Sequence, residues 1–372
     1  MLRYALRNLL QNKARLAVSL GGVALAFTLI FSFDAIVEGA QRRLTAYMRE
    51  SGADVFVSQA GVRNMHMATS TLPAAVVEEL RGLPDVDSVT PILYLSNMVE
   101  VGEGRHAAYI IGLPADATMG GPWRIAAGKS IPGRGEAIID RVVAEDAGVG
   151  IGDRVKVLGH EFIISGLAGG TANFTNSIAF VSFEDFAQLR GGPPVVSYVL
   201  VKVTPGAAPE AVAARLEAST PGTTAQTRDA FARAERALVN DMMTDVSSIM
   251  NLVGFMIGLA VMALTVYIAT FSRRAEHGML KAIGAGNVHL YVAVVAQALS
   301  IVVTGFLLGL VLTLLLTVVV PIALPNISLA ISAPSMFKAV GVSLVIAALS
   351  AALPIRQIAS LDPAVVFKGG AG

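Results

Sequence analysis

Two long stretches of the chain contain no charged side chain, and this feature limits what the sequence can fold into more than any other. Residues 247–271 and 290–337 lack Asp, Glu, Lys and Arg altogether. About 20 apolar residues in a helix cross the hydrocarbon of a bilayer, so both stretches are long enough to span one. Charged residues make up only 15% of the whole sequence, against about 25% in an ordinary soluble domain. The sequence therefore predicts a membrane protein and excludes a disordered chain or a basic nucleic-acid binder.

Four segments are predicted to be transmembrane helices. Three prolines divide the longest uncharged run into a helix and an extracytoplasmic loop, residues 321–337, because proline interrupts helical hydrogen bonding. The predicted spans are residues 16–36, 247–271, 290–320 and 338–355. This arrangement places one span before a long polar segment and three spans after it.

The distribution of basic residues predicts the orientation of these spans. Residues 1–15, 272–289 and 356–372 together carry nine Lys and Arg but only two Asp and Glu. Short loops rich in Lys and Arg remain in the cytosol. We therefore expect a multi-pass protein of the bacterial inner (plasma) membrane with both termini in the cytosol.

The segment between the first two spans, residues 37–246, is predicted to be an extracytoplasmic α+β domain. Eight short runs with strand patterning alternate with four segments of helical periodicity, which favours two small subdomains. Residues 16–49 and 228–246 are helix-compatible beyond the spans. The sequence leaves open whether these extensions form a stalk or ordinary packed helices.

The sequence contains no set of residues typical of a catalytic or metal site. None of the five histidines is paired at metal-binding spacing, and cysteine is absent. Ion-driven transporters use ionisable side chains within their spans, and these are scarce here. We therefore expect no catalytic, cofactor-binding or metal-binding residue, and energy supplied by another protein.

The loop between the second and third spans carries the most specific motif. It starts with two arginines, and a short helix-compatible stretch, residues 275–283, ends at glycine. Its pattern Glu276-x-Gly278-x-Leu280-Lys281-Ala282-Ile283-Gly284-Ala285 resembles the signature loop of the MacB/FtsX/LolC-type ABC transporter permeases. Residues 6–13 resemble the cytosolic amphipathic helix of that family, here residues 1–15, and residues 354–364 resemble its C-terminal tail. The order of spans is also that of the family.

The resemblance implies a non-catalytic subunit whose ATPase lies on a separate chain. Residues 275–284 would be a coupling helix seated in a cytosolic ABC ATPase that binds ATP and Mg, with Glu276 as the central polar contact. The ATPase-coupling residues would be Glu276, His277, Gly278, Leu280, Lys281, Ala282 and Gly284. His277 departs from the apolar residue common there. Two ATPases and a second permease copy or paralogue would complete the assembly, and a periplasmic adaptor protein is a further candidate partner.

By the same resemblance, ATP-driven motion would reach the outer domain by mechanotransmission. We expect export of a lipophilic or amphipathic substrate, which would enter beside the first two spans. Candidate substrate-facing residues there are Phe31, Phe33, Met250, Phe255 and Met256, which form an adaptable apolar surface. The alternative is an FtsX-like signalling permease whose outer domain regulates a cell-wall hydrolase or senses a ligand without transport.

Overall fold

The computed structural model describes residues 13–65, 68–172, 176–191, 193–272, 279, 287–324 and 327–359. The chain divides into two compact units, a helical unit and an inserted domain formed mainly by Ala40–Met242. Nine helices and twelve strands are described, and we number them in chain order. They are α1 (Lys13–Leu44), α2 (Ala46–Glu50), β1 (Val55–Gln59), β2 (Leu72–Pro73), α3 (Ala75–Arg81), β3 (Val86–Val101), β4 (Gly104–Leu113), β5 (Ile125–Gly128), β6 (Glu136–Asp140), α4 (Arg141–Ala147), β7 (Arg154–Val157), β8 (His160–Ala168), β9 (Ser177–Ser182), α5 (Phe183–Arg190), β10 (Val195–Val196), β11 (Tyr198–Val203), α6 (Pro209–Ser219), β12 (Thr223–Thr227), α7 (Arg228–Phe271), α8 (Asn287–Ala323) and α9 (Ala333–Ala359).

Four of these helices are long and apolar enough to cross a membrane. The qualifying segments are Leu20–Leu44, Ser248–Ile268, Leu290–Ala323 and Ala333–Ala352. One precedes the inserted domain and three follow it, as the sequence predicts. The chain therefore combines apolar helices long enough for a lipid bilayer with a separate inserted domain.

The end of α8 and the start of α9 differ from the bounds predicted from the positions of the prolines, residues 320 and 338. Helix α8 continues through Pro321 to Ala323, where the lost backbone hydrogen bond affects only the final turn. Helix α9 begins at Ala333 rather than at residue 338, so that Pro334 lies in its first turn. A proline there costs little, because the first backbone N–H groups of a helix have no partner within it.

Helix α1 contributes the largest side chains to the core of the helical unit. Phe27 and Phe31 are both fully buried and contact Phe306 of α8 edge-on, at centroid distances of 5.5 and 5.3 Å. Ala24 and Phe27 also lie against Gly309 of α8, where a β-carbon would come within 2.9 Å of the Ala24 carbonyl oxygen. Glycine therefore lets α8 approach the backbone of α1 closely, as small residues do between membrane helices.

The inserted domain is organised around one ten-stranded mixed sheet. Its strand order is β12-β1-β11-β3-β4-β9-β6-β8-β5, and β7 pairs with β3 and β8. The pairs β4–β9 and β6–β8 are parallel, whereas the other pairs are antiparallel. A separate two-stranded sheet joins β10 to β2. Helices lie on this sheet, which agrees with the predicted α+β class.

Strand β3 joins the two halves of the inserted domain. Its first part pairs with β11, and its second part pairs with β4 and β7. Separate apolar cores lie under the two halves, one including Val57 and Leu216 and the other Ile110 and Phe162. The two predicted subdomains therefore share a 16-residue strand rather than being separated by a linker.

Helix α1 ends before the boundary expected from the sequence. Residues 16–49 were compatible with a single helix, but α1 stops at Leu44 and the short helix α2 follows. Thr45 lies at the break, and its hydroxyl donates to the carbonyl oxygen of Gln41 at 2.9 Å. Threonine hydroxyls compete in this way for backbone acceptors and favour bends.

Candidate functional site

The coupling residues predicted from the sequence lie outside the described residues. This applies to Glu276, His277, Gly278, Leu280, Lys281, Ala282 and Gly284. The predicted amphipathic helix at residues 1–12 and the tail from residue 360 also lie outside them. Their assignment stays a prediction from the resemblance.

The candidate substrate-facing residues occupy different environments in the helical unit. Phe31 is fully buried in the helix core, Phe33 and Phe255 are half-buried, and Met250 and Met256 are exposed. The five side chains therefore do not form a single exposed surface on this unit. Their proposed contact with substrate stays a prediction.

The helical unit contains a buried carboxylate paired with a lysine. Asp34 of α1 is only 7% exposed. Lys338 of α9 donates to both carboxylate oxygens at 3.1 and 3.2 Å, and the Asn251 amide of α7 lies 3.5 Å from one of them. This polar cluster links α1, α7 and α9.

The inserted domain contains a cleft with aromatic walls, which we call the aromatic cleft. One wall comes from the chain around α2, a second from strands β3, β4 and β9, and a third from three loops. Its lining residues are Arg43, Leu44, Tyr47, Met48, Met65, Tyr94, Tyr109, Ile111, Trp123, Gly170, Thr171, Asn176 and Ile178. Aromatic bodies with polar ends are common in sites that bind small molecules.

Tyrosine side chains continue from the aromatic cleft into the core of the inserted domain. The ring of Tyr94 lies 5.5 Å from that of Tyr109 and 5.9 Å from that of Tyr198. Tyr198 packs edge-on against Phe231, which stacks on Phe56. Packed aromatic rings therefore form the inner side of the aromatic cleft.

Burial keeps these tyrosines in their neutral, proton-donating form. It raises the pKa of Tyr94, Tyr109 and Tyr198 well above the ordinary value, and the negative charge of Glu235 raises each further. Tyr47 has a raised pKa from burial alone. The tyrosine hydroxyls therefore remain hydrogen-bond donors at any physiological pH.

These hydroxyls differ in whether the protein supplies an acceptor. Tyr47 donates to the carbonyl oxygen of Gly120, and Tyr198 donates to that of Asn64, both at 3.1 Å. Tyr109 bonds to the Asn176 side chain. Tyr94 is only 7% exposed, yet its hydroxyl has no hydrogen-bond partner within the described part of the chain.

The loop that follows β8 holds an arginine at the edge of the aromatic cleft. Arg43 donates to the carbonyl oxygen of Ala172 at 3.0 Å. Asp140 fixes this loop, because one of its oxygens accepts from the Thr171 and Ala172 N–H groups and from the Thr171 hydroxyl at 2.6–2.9 Å. Its other oxygen caps α4 by accepting from the Val142 N–H at 2.8 Å.

Two glycines let a second arginine lie over the same loop. Beta-carbons at Gly169 and Gly170 would meet the Arg124 guanidinium at 2.7 and 3.1 Å, and Gly170 has a φ of +78°. Trp123, beside it in sequence, lies against Gly170. A side chain at either glycine would force Arg124 to move away from the loop.

Sequence reasoning did not identify the aromatic cleft. Its lining residues come from segments between residues 43 and 178, and no two of them form a recognisable motif. The available signal was weak: the single tryptophan and the tyrosines of two neighbouring strands. Among the described residues, no group of three His, Cys, Asp or Glu side chains is placed to hold a metal ion.

The apolar helices and the domain inserted after the first of them define a multi-pass membrane protein of the permease class. Residues 16–219 match the MacB-like periplasmic core domain, and residues 248–363 match the FtsX-like permease C-terminal domain. The chain belongs to the MacB/FtsX-type family of ABC transporter permeases. Proteins of this family are generally non-catalytic subunits that work with an ATPase.

Relatives of this chain match it over its full length. Uncharacterized ABC transporter permeases of Mycobacterium bovis and Mycobacterium tuberculosis are 22% identical over 372 residues, which cover 99% of this chain and 100% of theirs. The periplasmic region of MacB from Actinobacillus actinomycetemcomitans is 13% identical with a TM-score of 0.38, covering 50% of this chain and 94% of that one. The extracellular domain of the noncanonic ABC-type transporter YknZ from Gram-positive bacteria is 14% identical with a TM-score of 0.36, covering 47% and 99%.

Proposed function

We propose that this chain is the permease subunit of an ABC exporter that moves a lipophilic or amphipathic substrate by mechanotransmission. The observation that carries the proposal is the order of its two family domains, a MacB-like periplasmic core domain followed by an FtsX-like permease segment. A partner ATPase binds ATP and Mg in the cytosol, and two copies of the permease, or this chain and a paralogue, form the membrane part.

The continuity of helix α7 supports a mechanical role. This helix begins at Arg228, next to strand β12 of the inserted domain, and continues to Phe271 in the helical unit. Its 44 residues correspond to about 66 Å of helix at 1.5 Å per residue. In this proposal, α7 is the element through which motion at the coupling helix reaches the inserted domain.

Residues 275–284 form the coupling helix in this proposal, and Glu276 makes its polar contact with the ATPase. Replacing Glu276 by lysine reverses the charge at that contact. We expect Glu276→Lys to abolish the stimulation of ATP hydrolysis that the wild-type permease gives its partner ATPase. The measurement compares ATP hydrolysis by the ATPase alone, with wild-type permease and with the variant, in proteoliposomes.

A matched control separates coupling from folding. Glu103 lies exposed in the turn between β3 and β4, so Glu103→Lys makes the same charge change in the inserted domain. Glu103→Lys should leave the stimulated hydrolysis unchanged, and both variants should insert in normal amounts. Normal stimulation by Glu276→Lys would reject the coupling role.

The second candidate function is signalling, in which the inserted domain senses a ligand or regulates a cell-wall hydrolase. The aromatic cleft of the inserted domain favours it, because the buried Tyr94 hydroxyl there has no hydrogen-bond partner among the described residues. Proteoliposomes distinguish the two functions. ATP-dependent loss of a lipophilic dye from the vesicles supports export, whereas a hydrolase activated by the permease and ATPase without such loss supports signalling.

A further inference from the structure

The aromatic cleft brings a buried tyrosine hydroxyl close to a buried carboxylate of helix α7. We propose that a single internal water molecule accepts a hydrogen bond from the Tyr94 hydroxyl and donates one to the Glu235 carboxylate. This water would fasten the start of α7 to strand β3. The inference concerns the inserted domain alone and holds whether the chain exports a substrate or signals.

The free space of the aromatic cleft matches one water molecule. About 20 Å³ of it is open to the centre of a water-sized sphere. A buried water needs roughly 10–15 Å³ on this measure and two to four polar partners. The polar side chains of Tyr94, Tyr109, Thr171 and Asn176 line this space. The cleft therefore has room for a water and polar groups to hold it, but no room for a ligand with a ring.

The Tyr94 hydroxyl supplies the hydrogen-bond donor for this water. Tyr94 is only 7% exposed, and its hydroxyl has no partner within the described part of the chain. Burial raises the pKa of Tyr94 well above its ordinary value, and the neighbouring Tyr109, Tyr198 and Glu235 raise it further, so the hydroxyl stays protonated. A water oxygen in the cleft is an acceptor for this buried donor.

Glu235 supplies the acceptor on the other side of the water. It is 1% exposed, and its carboxylate accepts from the backbone N–H of Met65 at 2.8 Å. Met65 lines the aromatic cleft, which places this carboxylate against the cleft wall. The charge of Glu235 also raises the pKa of Tyr94, Tyr109 and Tyr198, so it acts on the same cluster of hydroxyls. Each further donor stabilises a buried carboxylate, and a water has two hydrogens to donate.

The charges around the aromatic cleft favour a neutral water over an ion. The negative charge of Glu235 disfavours an anion beside the Tyr94 hydroxyl. Arg43 also lines the cleft, and its positive charge disfavours a cation. Water carries no net charge and both accepts and donates, so it satisfies the hydroxyl and the carboxylate together.

The proposed water adds a polar contact to an apolar attachment of α7. Phe231 near the start of this helix stacks on Phe56 of β1 and packs edge-on against Tyr198 of β11. Glu235 lies about one turn further along the same helix. Through the water it would also reach Tyr94 on β3, the strand that both halves of the inserted domain share. Loss of the water should therefore loosen the first turns of α7.

Removal of the Tyr94 hydroxyl tests the water by the sign of its effect. Hydrogen–deuterium exchange with mass spectrometry, on the full chain in nanodiscs, follows the backbone amides of residues 229–237 in α7. Tyr94→Phe removes one hydrogen bond of the water, so these amides should exchange about fivefold faster, the effect of about one hydrogen bond. A hydroxyl without any acceptor predicts the opposite, because its removal eliminates an unsatisfied donor. Unchanged or slower exchange in Tyr94→Phe would therefore overturn the proposal.

Tyr47→Phe is the matched control. Tyr47 lines the same cleft, but its hydroxyl donates to the carbonyl oxygen of Gly120, and burial alone raises its pKa. This variant should change the exchange of residues 229–237 by less than about twofold. Equal acceleration by Tyr47→Phe and Tyr94→Phe would contradict a specific bridge to α7.

A second variant tests whether Glu235 is the other partner of the water. Glu235→Gln weakens the same bridge as Tyr94→Phe, so the two together should accelerate exchange by less than the product of their single effects. Glu235→Gln and Tyr47→Phe should multiply. Multiplying effects of Tyr94→Phe and Glu235→Gln would exclude Glu235 as the partner. Where Glu235→Gln does not fold, the sign of the Tyr94→Phe effect still decides.

Salt composition and direct observation distinguish water from an ion. Exchange of residues 229–237 should be equal in sodium, potassium and choline chloride at the same ionic strength. Slower exchange in one alkali salt would place a cation in the cleft instead. A crystal structure of the full chain that resolves ordered waters should show one density within hydrogen-bond distance of the Tyr94 Oη and a Glu235 oxygen. A direct hydrogen bond between these two side chains, without such a density, would overturn the bridging water.

Discussion

At the scale of single residues, Asp34 and Lys338 are an unusual pair for a unit of apolar helices. A carboxylate that is 7% exposed would be costly without a cation beside it. Lys338 supplies that cation, and its side chain remains 43% exposed. Loss of the pair therefore affects the two partners unequally. Without Lys338 the Asp34 carboxylate is a buried unpaired charge, whereas Lys338 without Asp34 is still partly exposed.

This inequality predicts the order of stability of two variants. Lys338→Met leaves a buried carboxylate without its cation and should lower the free energy of unfolding by about 2 kcal/mol, less than the 3–5 kcal/mol of a fully buried pair because Lys338 is half-exposed. Asp34→Asn should cost clearly less, because the amide keeps the size of the side chain and Lys338 is already 43% exposed. Thermal unfolding of the purified protein in detergent micelles measures both.

The double variant tests whether the pair itself causes the loss. With Asp34→Asn and Lys338→Met combined, no buried charge remains, so the protein should regain most of the stability that Lys338→Met alone removes. Additive losses in the double variant, or an unchanged unfolding temperature in Lys338→Met, would show that Asp34 does not rely on this lysine.

At the scale of elements, the contact between α1 and α8 depends on Gly309. A β-carbon at this position would lie 2.7 Å from the Phe27 β-carbon, 2.9 Å from the Ala24 oxygen and 3.1 Å from the Thr28 nitrogen. Two of these three atoms belong to the backbone of α1, which cannot turn away as a side chain can. Any side chain at residue 309 must therefore separate the two helices.

Gly309→Ala should destabilise the helical unit by about 2 kcal/mol, because the loss of close packing exceeds the roughly 1 kcal/mol that alanine gains in helix propensity. Gly341 of α9 is the control, since a β-carbon there would meet nothing within 4 Å. Gly341→Ala should leave stability unchanged or raise it. Equal unfolding temperatures of the two variants in the same detergent would contradict the close approach of α1 and α8.

The elements differ in how well the sequence predicts them. Strand patterning over residues 136–140 and helical periodicity over residues 141–147 and 209–219 predict β6, α4 and α6 with the bounds that the structure gives them. The two helices begin after the capping residue Asp140 and at Pro209. Strand β12 was not predicted, since its residues Thr-Thr-Ala-Gln-Thr have little apolar alternation and pair with β1 only in the folded domain. The aromatic cleft was missed for the same reason: its residues meet only through tertiary pairing.

At the scale of the whole molecule, charge is distributed very unevenly along the chain. The net charge is +1, yet residues 1–15, 272–289 and 356–372 carry nine basic and two acidic residues, so that the rest of the chain is net acidic. The inserted domain and the loop between α7 and α8 should therefore lie on opposite sides of the membrane. The coupling proposal requires this orientation, because an ATPase supplied with ATP is cytosolic.

The absence of cysteine from the sequence makes this orientation directly testable. Glu103→Cys places one thiol in an exposed turn of the inserted domain, and Met279→Cys places one at an exposed residue of the loop. In right-side-out membrane vesicles, a membrane-impermeant maleimide should label Glu103→Cys at once and Met279→Cys only after detergent is added. The cysteine-free wild type gives the background. Labelling of Met279→Cys in sealed vesicles would place residues 272–289 outside, where no cytosolic ATPase can reach them, and would contradict the coupling proposal.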